Sequence, residues 1–178
     1  MQEPDYRKLV IVGDVGSGKT QLISTLSEID TINTDVTSSI DIGKDTTTVG
    51  IDYGRIHLNG NLALGLYGVP GQTRYSFIWE TVKPGTWGMI LLLHAEQEFD
   101  PLSFQRWLQF FDVSANSLPL LVAISHSDQV SDEDYQRLQR AINDHQQQND
   151  LCLPVLPLNC RDPHQALSLL TVINTLAN

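Results

Sequence analysis

The sequence predicts an α/β fold of three layers, in which helices, about five in number, cover a mostly parallel six-stranded sheet with one antiparallel strand. Short apolar runs alternate with segments whose apolar residues recur at helical spacing, as in parallel strands joined by crossover helices. Two strand-like runs, residues 51–58 and 62–67, are joined across Asn59-Gly60, a strong hairpin signal that reverses one strand. Finally, the first apolar run, residues 9–12, leads directly into a glycine-rich segment that opens a helix.

The predicted strands are short apolar runs bounded by turn residues. In chain order they are residues 9–12, 51–58, 62–67, 89–93, 120–125 and 155–158. Between the first helix and the second strand, residues 30–48 are rich in Thr, Ser and Asp and show no apolar period. We therefore expect a long loop there, and a loop of that length in a compact domain is usually functional or mobile.

The predicted helices begin at recognisable caps. The first covers residues 19–29, directly after the glycine-rich segment. Asp100-Pro101 and Asp162-Pro163 each place a capping carboxylate before a proline at the first helical position. Ser131 and Asp134 form the pattern of a capping box.

Composition limits the classes of function. The 178 residues fit one domain, residues 1–178, with an apolar content of 41%. A net charge of −10 argues against a nucleic-acid partner and against binding to anionic lipid. No apolar stretch is long enough for an integral membrane segment, and the first residues lack a signal-peptide core. With only Cys152 and Cys160, we expect a reducing, cytoplasmic location.

Residues 13–20, GDVGSGKT, have the spacing of a loop whose backbone N–H groups surround a phosphate chain. The loop follows a strand and opens a helix, which is the structural context that this mechanism requires. Lys19 is expected to neutralise the terminal phosphates and Thr20 to offer its hydroxyl to Mg²⁺. The residues predicted to contact the phosphates are Gly13, Asp14, Val15, Gly16, Ser17, Gly18, Lys19, Thr20 and Gln21.

Residues 66–80, LYGVPGQTRYSFIWE, resemble the second switch of the Ras-like small GTPases. The similarity is greater to a bacterial branch whose motif reads GTPGQ.RF.FMW, more distant to the MglA-type gliding-motility GTPases, and extends over nearly the whole chain. The resemblance implies binding of GTP and GDP with Mg²⁺, contact of the nucleotide with Gly71, and Gln72 and Lys19 as catalytic residues, with Gln72 orienting the attacking water. It also places Trp79 in a mobile partner-binding segment, although Trp79 is equally compatible with permanent burial.

The segment TTTVGIDYGRI resembles the end of the family's first switch, where a threonine closes over Mg²⁺. Matching the motif selects Thr48 as this second metal ligand beside Thr20, with Thr46 and Thr47 as neighbours that are easily mistaken for it.

Base recognition in the family uses Asn-Lys-x-Asp, and the matching residues here are Ser125, His126, Ser127 and Asp128. Asp128 keeps the carboxylate that accepts both N–H donors of guanine. His126 lacks the aliphatic stem of lysine, so either its ring stacks on the base or this loop holds no ligand. Asn159, Cys160 and Arg161 match the family's Ser-Ala-Lys, and the N–H of Cys160 would contact the base oxygen.

Other departures from the family pattern predict slow turnover. Gly68 stands where the family has an aspartate that holds Mg²⁺ through water, and Val15 is bulkier than the usual glycine. Arg74 either reaches the phosphates or is a solvated switch residue. An arginine supplied by a GTPase-activating protein would then accelerate hydrolysis by about 10³ to 10⁵.

Three functions are consistent with these residues. The first is a nucleotide-controlled switch, in which GTP and Mg²⁺ order the switch regions and a protein effector or regulator binds them. The second is a degenerate GTPase-like scaffold that binds partners without nucleotide cycling, as the changes at Gly68 and Ser125-His126 suggest. The third, a P-loop kinase or ATPase, is less favoured, because no arginine-rich lid is evident.

Overall fold

Seven strands form one sheet in the computed structural model, which describes residues 5–37, 48–58 and 61–178. The strands are β1 (Asp5–Gly13), β2 (Ile32–Thr37), β3 (Thr48–His57), β4 (Leu62–Gly68), β5 (Thr86–His94), β6 (Leu120–Ser125) and β7 (Val155–Leu158). Their order across the sheet is β2-β3-β4-β1-β5-β6-β7. The six predicted strands are all present, and β2 is additional.

One strand runs opposite to the rest of this sheet. Parallel pairs join β4 to β1, β1 to β5, β5 to β6 and β6 to β7. Strand β3 is antiparallel to both of its neighbours, β2 and β4. The predicted mostly parallel sheet with one reversed strand is therefore confirmed. The turn residues Asn59 and Gly60 lie outside the described residues.

The additional strand β2 lies at the edge of the sheet, within a segment that we expected to be a loop. It pairs with β3 from Ile32 opposite Tyr53 to Thr37 opposite Thr48. Its sequence, INTDVT, has no apolar alternation, but four of its six residues are β-branched, which favours extended backbone. An edge strand needs only backbone hydrogen bonds to one neighbour, so it can form without a hydrophobic pattern.

Six helices and one 3₁₀ turn occur in the part of the chain that the structure describes. They are α1 (Lys19–Leu26), the 3₁₀ turn (Thr73–Tyr75), α2 (Ser76–Val82), α3 (Pro101–Phe110), the single turn α4 (Val113–Asn116), α5 (Asp132–Gln148) and α6 (Pro163–Leu176). The predicted caps are confirmed. Asp100 and Asp162 accept backbone N–H groups of α3 and α6, and Ser131 accepts the N–H of Asp134 at 3.1 Å.

Helix α1 ends three residues earlier than the predicted boundary at residue 29. Ser27 is extended, with φ −73° and ψ 133°, and its hydroxyl oxygen accepts the N–H of Arg55 on β3 at 3.1 Å. Ser27 still donates its backbone N–H to the carbonyl of Ile23, but the N–H of Glu28 donates to the carbonyl of Arg55 on β3 at 2.8 Å, so the helix ends here.

Helices cover both faces of the sheet, which confirms the three layers. Alternate residues of β1 show the division: Leu9 and Ile11 pack with α1 and α6, whereas Val10 and Val12 pack with α2, α3 and α5. All four are fully buried. A strand covered on both faces has an uninterrupted apolar sequence, which is why residues 9–12 predict it well. Among the described helices, none combines the length and the apolar character needed to cross a bilayer.

Replacement of Leu170 by Ala is expected to lower the free energy of unfolding by about 2–5 kcal/mol, because it opens a cavity between α6 and the sheet. Leu170 is 1% exposed, whereas Leu167, in the same helix, is 43% exposed. The matched variant Leu167→Ala should cost less than about 1 kcal/mol. Equilibrium urea unfolding measures both, and equal losses would contradict the assignment of the buried face.

Candidate functional site

The predicted site residues gather at the carboxyl edge of the sheet. Strands β1, β4, β6 and β7 end there at Gly13, Gly68, Ser125 and Leu158, and each is followed by one of the predicted motifs. Parallel strands place their carboxyl ends at one edge, where ligands of α/β folds bind.

Glycine is required at two positions of the phosphate loop, defined as residues 13–20. Gly13 has φ +146°, and a Cβ there would collide with the carbonyl oxygen of Leu92 on β5. Gly18 has φ +93°, and a Cβ there would lie 2.8 Å from the Sγ of Cys160. The loop therefore packs closely against β5 and the segment after β7. Gly16 also has positive φ, Ser17 is buried, and Val15 is 61% exposed.

The loop leads into helix α1 without a side-chain cap. Gly18 is the N-cap residue and makes no side-chain hydrogen bond, while its carbonyl accepts the N–H of Leu22 at 2.9 Å. The N–H groups of the first helical turn, those of Lys19, Thr20 and Gln21, precede the first intrahelical donor. Together with the helix dipole, such groups favour an anion.

Lys19 lies inside the phosphate loop. Its ammonium donates hydrogen bonds to the backbone carbonyls of Gly13 and Asp14, both at 2.8 Å. Burial lowers the pKa of Lys19 to about 8, against an opposing contribution from the carboxylates of Asp14 and Asp52. At neutral pH the side chain remains predominantly protonated, so a desolvated positive charge is held in the loop.

Asp14 connects the loop to helix α3. Its Oδ1 accepts a hydrogen bond from the hydroxyl of Ser103 at 3.2 Å, and Ser103 in turn accepts one from Arg106 at 2.8 Å. These contacts fix the first half of the loop.

A carboxylate that the motifs did not predict lies beside Thr20. The Thr20 hydroxyl donates a hydrogen bond to Oδ2 of Asp52 on β3, at 2.5 Å. Asp52 is opposite Gly68 in the β3–β4 pairing. A Cβ on Gly68 would lie 3.2 Å from the Cβ of Asp52 and 2.7 Å from Ile23, so the glycine leaves room for this arrangement. Asp52 thus places a carboxylate next to Gly68, the position at which the small GTPases that the sequence resembles have an aspartate.

Thr48 lies on the same strand as Asp52. It is the first residue of β3 and pairs with Thr37. It precedes Asp52 by four positions on an extended strand, which corresponds to about 13 Å. Thr46 and Thr47 lie outside the described residues.

The turn after β4 packs on the phosphate loop. A Cβ on Gly71 would collide with the carbonyl oxygen of Gly13 and lie 2.9 Å from the Cα of Asp14. Gln72 is exposed and precedes the 3₁₀ turn. Arg74 is also exposed, and its guanidinium lies 4.7 Å from the ring centroid of Tyr75.

A cavity of about 160 Å³ adjoins the phosphate loop, and Asp128 is one of its walls. Oδ2 of Asp128 accepts a hydrogen bond from the Asn159 side chain at 3.0 Å, which orients the carboxylate. The other lining residues are Gly18, Gln21, His126, Gln129, Asn159, Cys160 and Arg161. Larger cavities, of about 570 and 650 Å³, lie beside α5 and near the amino ends of β5 and β6. Unlike these two, the small cavity shares a residue, Gly18, with the phosphate loop.

His126 is held in a left-handed conformation, φ +57°, between two neighbours. Its ring stacks on His94 with centroids 4.0 Å apart, and its Nδ1 lies 3.1 Å from Oγ of Ser125. Because the buried Ser125 hydroxyl donates to the carbonyl of Leu93, it accepts from Nδ1–H of His126. Burial, with the proximity of His126, lowers the pKa of His94. One face of His126 is covered by His94, so its other face and an edge remain for the cavity.

Cys160 is buried between the cavity and helix α1. Its carbonyl accepts a hydrogen bond from the hydroxyl of Thr25 at 2.7 Å. Burial, together with the nearby Asp128 carboxylate, raises the pKa of its thiol to about 11. The thiol is therefore protonated and serves as packing against Gly18. Arg161 is exposed at the rim, and its N–H donates to Asn159 Oδ1 at 2.9 Å.

Curated relatives include Ras-related proteins. The chain is 31% identical over 110 residues to Rab-13 of Rattus norvegicus and 28% identical over 118 residues to Rab-11B of Dictyostelium discoideum. The alignments cover 62% and 64% of this chain but only 51% and 49% of those proteins. The chain therefore spans about half the length of the curated relatives it matches.

Solved structures with the same fold include GTPase domains. The small GTPase Arl6 BBS3 of Trypanosoma brucei, with bound nucleotide analogue GppNp, gives a TM-score of 0.69 at 15% identity, covering 97% of this chain and 98% of that one. Elongation factor SelB of Methanococcus maripaludis, in complex with the GTP analogue GppNHp, gives 0.72 at 17% identity, covering 98% and 35%. The fold is that of the Ras-like small GTPases.

The family comparison covers more of the chain than the relatives do. Residues 30–176 match the family described as conserved hypothetical ATP binding protein. These residues include the turn after β4, the segment around Asp128 and the segment after β7. The chain, with its Ras-like fold, belongs to this family of conserved hypothetical ATP binding proteins.

Proposed function

We propose that this chain is a guanine-nucleotide-binding molecular switch that hydrolyses GTP to GDP with Mg²⁺ and controls a protein partner. The observation that carries the proposal is the arrangement of two subsites around Gly18. The Lys19 ammonium lies within the phosphate loop, and the Asp128 carboxylate lines the cavity that Gly18 also lines. A ligand that joins a phosphate chain to a base would contact both subsites, as a nucleoside diphosphate or triphosphate does.

The chain as a whole carries a net charge of −10, which repels anions. The groups that attract a phosphate must therefore lie within the phosphate subsite itself. Lys19 supplies the positive charge, and the uncapped first turn of α1 supplies N–H donors. Lys19 now donates to the carbonyls of Gly13 and Asp14, so its position is fixed before a phosphate arrives. Fixed donors lower the ordering cost of binding.

The base subsite favours guanine. Asn159 donates to one oxygen of Asp128, and the carboxylate retains lone pairs for the two N–H donors on guanine. The N–H of Cys160 is proposed to contact the base oxygen, and His126 to lie against the base in place of the family's lysine. The second candidate is ATP, which is favoured by the description of the family that the chain matches. Adenine does not offer the adjacent pair of donors that Asp128 can accept.

The metal site that we propose consists of hard oxygen ligands, as Mg²⁺ requires. Thr20 supplies a hydroxyl and Asp52 a carboxylate hydrogen-bonded to it, and Thr48 is the proposed ligand from the first switch. In the described residues no cluster of three or more His, Cys, Asp or Glu side chains could hold a metal. We propose an ion that is held jointly by these protein oxygens and by the phosphates. Bound Mg²⁺ would supply charge neutralisation at the phosphate oxygens.

Hydrolysis is proposed to depend on Gln72, which follows the turn packed on the phosphate loop and would orient the attacking water. Arg74 lies on Tyr75, so we propose that a GTPase-activating protein supplies the arginine and that turnover without it is slow. Half-buried Tyr75 and Phe77 on the second switch are proposed to contact a protein effector or regulator.

We further propose that residues 1–178 are a single GTPase domain of the bacterial branch with the Pro70-Gly71-Gln72 motif, acting in the cytoplasm. The absent aspartate at Gly68 and the motif itself support the branch. An exposed Cys152 and a buried, unpaired Cys160 suit a reducing compartment.

A scaffold that does not cycle nucleotide is the alternative favoured by the Ser125-His126 pair. The two functions differ in chemistry: a switch releases phosphate in a Mg²⁺-dependent reaction that Gln72→Ala abolishes. Binding without any such release would favour the scaffold.

Base selectivity is the first test of the proposal. Purified wild-type protein, emptied of nucleotide, should bind GDP more tightly than ADP, and Asp128→Ala should weaken GDP binding by about 10-fold to 100-fold with little change for ADP, because one charged acceptor is lost. Calorimetric titration measures both. Lys19→Ala is the comparison variant that should lose both nucleotides. Tighter binding of ADP by the wild type would overturn the guanine assignment in favour of the ATP alternative.

Asp52→Asn should raise the Mg²⁺ concentration needed for half-maximal GDP retention by about tenfold or more, because a carboxylate beside Thr20 is replaced by an amide. Release of a fluorescent GDP analogue over a Mg²⁺ series gives this value. The control Glu28→Gln removes a carboxylate that is paired with His57 instead. If Asp52→Asn and Glu28→Gln behave alike, Asp52 has no part in the metal site.

Val15→Gly is expected to accelerate single-turnover GTP hydrolysis several-fold, because a branched side chain next to the phosphates would crowd the water held by Gln72. Val15 does not have positive φ, so glycine is not needed for the backbone. Leu102→Ala, which shortens another exposed apolar side chain, serves as the control. An unchanged rate in Val15→Gly would show that Val15 does not limit hydrolysis.

A further inference from the structure

We infer that Trp79 is a positioning residue: through its indole N–H it holds the turn at Pro70, Gly71 and Gln72 against the phosphate loop. The structural part of this inference stands on contacts in the protein, and its catalytic meaning rests on the proposed function. Trp79 lies on α2, seven positions after Gln72, in the segment that the sequence left open as either mobile or buried.

The first contact is a hydrogen bond from side chain to backbone. Nε1–H of Trp79 donates to the carbonyl oxygen of Pro70 at 2.7 Å. Trp79 is 2% exposed, so its indole N–H cannot readily exchange this partner for water. A buried N–H that loses its acceptor is costly, and this bond therefore restrains the position of the Pro70 peptide.

The indole is in turn fixed from the opposite side by helix α3. Its centroid lies 4.3 Å from that of Trp107 and 5.3 Å from that of Phe110, the latter packed edge-on. Aromatic groups packed in this way resist rotation, since any movement opens a cavity in the core. Trp79 thus connects the core beneath α3 to the turn after β4.

The turn transmits this restraint to the phosphate loop. Gly71 follows Pro70 directly, and its Cα approaches the loop so closely that a Cβ would collide with the Gly13 carbonyl. Gln72 comes next, and its carbonyl accepts the N–H of Tyr75 at 3.0 Å. A shift of the Pro70 carbonyl would displace Gly71 from the loop and change the direction of Gln72.

Trp79 and Trp107, whose ring planes are tilted by 43°, form a matched pair for a test. Nε1 of Trp79 is bonded to Pro70, whereas Nε1 of Trp107 is buried with no hydrogen-bond partner among the described residues. Trp79→Phe and Trp107→Phe therefore remove similar volumes from the same aromatic cluster, but only Trp79→Phe removes a hydrogen bond to the turn.

Hydrogen exchange followed by NMR tests the positioning role without nucleotide. The reporters are the N–H groups of Val69 and Tyr75, which flank the turn and are bonded to Ile11 and Gln72. Trp79→Phe should accelerate their exchange about tenfold relative to Trp107→Phe, the factor that corresponds to about 1.4 kcal/mol. Equal exchange in the two variants would overturn the inference. If Trp79→Phe does not fold, replacing Trp79 with benzothienylalanine removes the N–H and keeps the shape of the ring.

Single-turnover kinetics test the catalytic meaning. Trp79→Phe is expected to lower the rate of GTP hydrolysis about tenfold while the Kd for GDP stays within about twofold, and Trp107→Phe should change neither. A fall in GDP affinity as large as the fall in rate would contradict a role limited to Gln72. If the wild type binds no nucleotide, the proposed function fails, and the exchange measurement still decides whether Trp79 holds the turn.

Discussion

The burial of β1 on both faces is the constraint on which the rest of the molecule depends. Residues Leu9 to Val12 are fully buried, and the strand pairs in parallel with β4 on one side and β5 on the other. This strand cannot slip without exposing one face of its apolar sequence, so the end of the strand at Gly13 is fixed. The phosphate loop begins at that point. The Val69 N–H donates a hydrogen bond to the Ile11 carbonyl at 3.2 Å. This bond places the turn after β4 beside the start of the phosphate loop.

The sequence predicts those parts of the structure whose conformation is determined by residues that are close together in the chain. An apolar run covered on two faces, a carboxylate before a proline and the spacing of Gly13, Gly18 and Lys19 each specify their own conformation. Strand β2 is different, because its pairing with β3 depends on backbone groups rather than on a hydrophobic pattern. The position of β2 at the sheet edge is set by its pairing with β3, so the sequence of β2 alone does not predict it.

The candidate site divides in the same way. Its motif residues were found because each follows a strand, whereas Asp52 and His94 contribute through partners that are distant in sequence. The residues around Asp52 predict a strand, but they do not indicate which residue of the neighbouring strand lies opposite Asp52. His94 and His126 are 32 positions apart and meet only because β5 and β6 are paired, with His94 opposite Ser125. The Asn159 to Asp128 hydrogen bond likewise joins segments after β6 and β7.

The position of Asp52 opposite Gly68 has a consequence for the hairpin turn at the far end of these strands. A two-residue turn at residues 59–60 would place Asp52 opposite Tyr67; instead, Leu58 donates its N–H to Leu62, and Asp52 meets Gly68. Adding or removing one residue in this turn would send the Asp52 side chain to the other face of the sheet. The length of a surface turn, remote from any ligand, thus determines whether the carboxylate is present beside Thr20. Sequence changes confined to that turn would alter the surroundings of the Thr20 hydroxyl while every residue of the phosphate loop stayed the same.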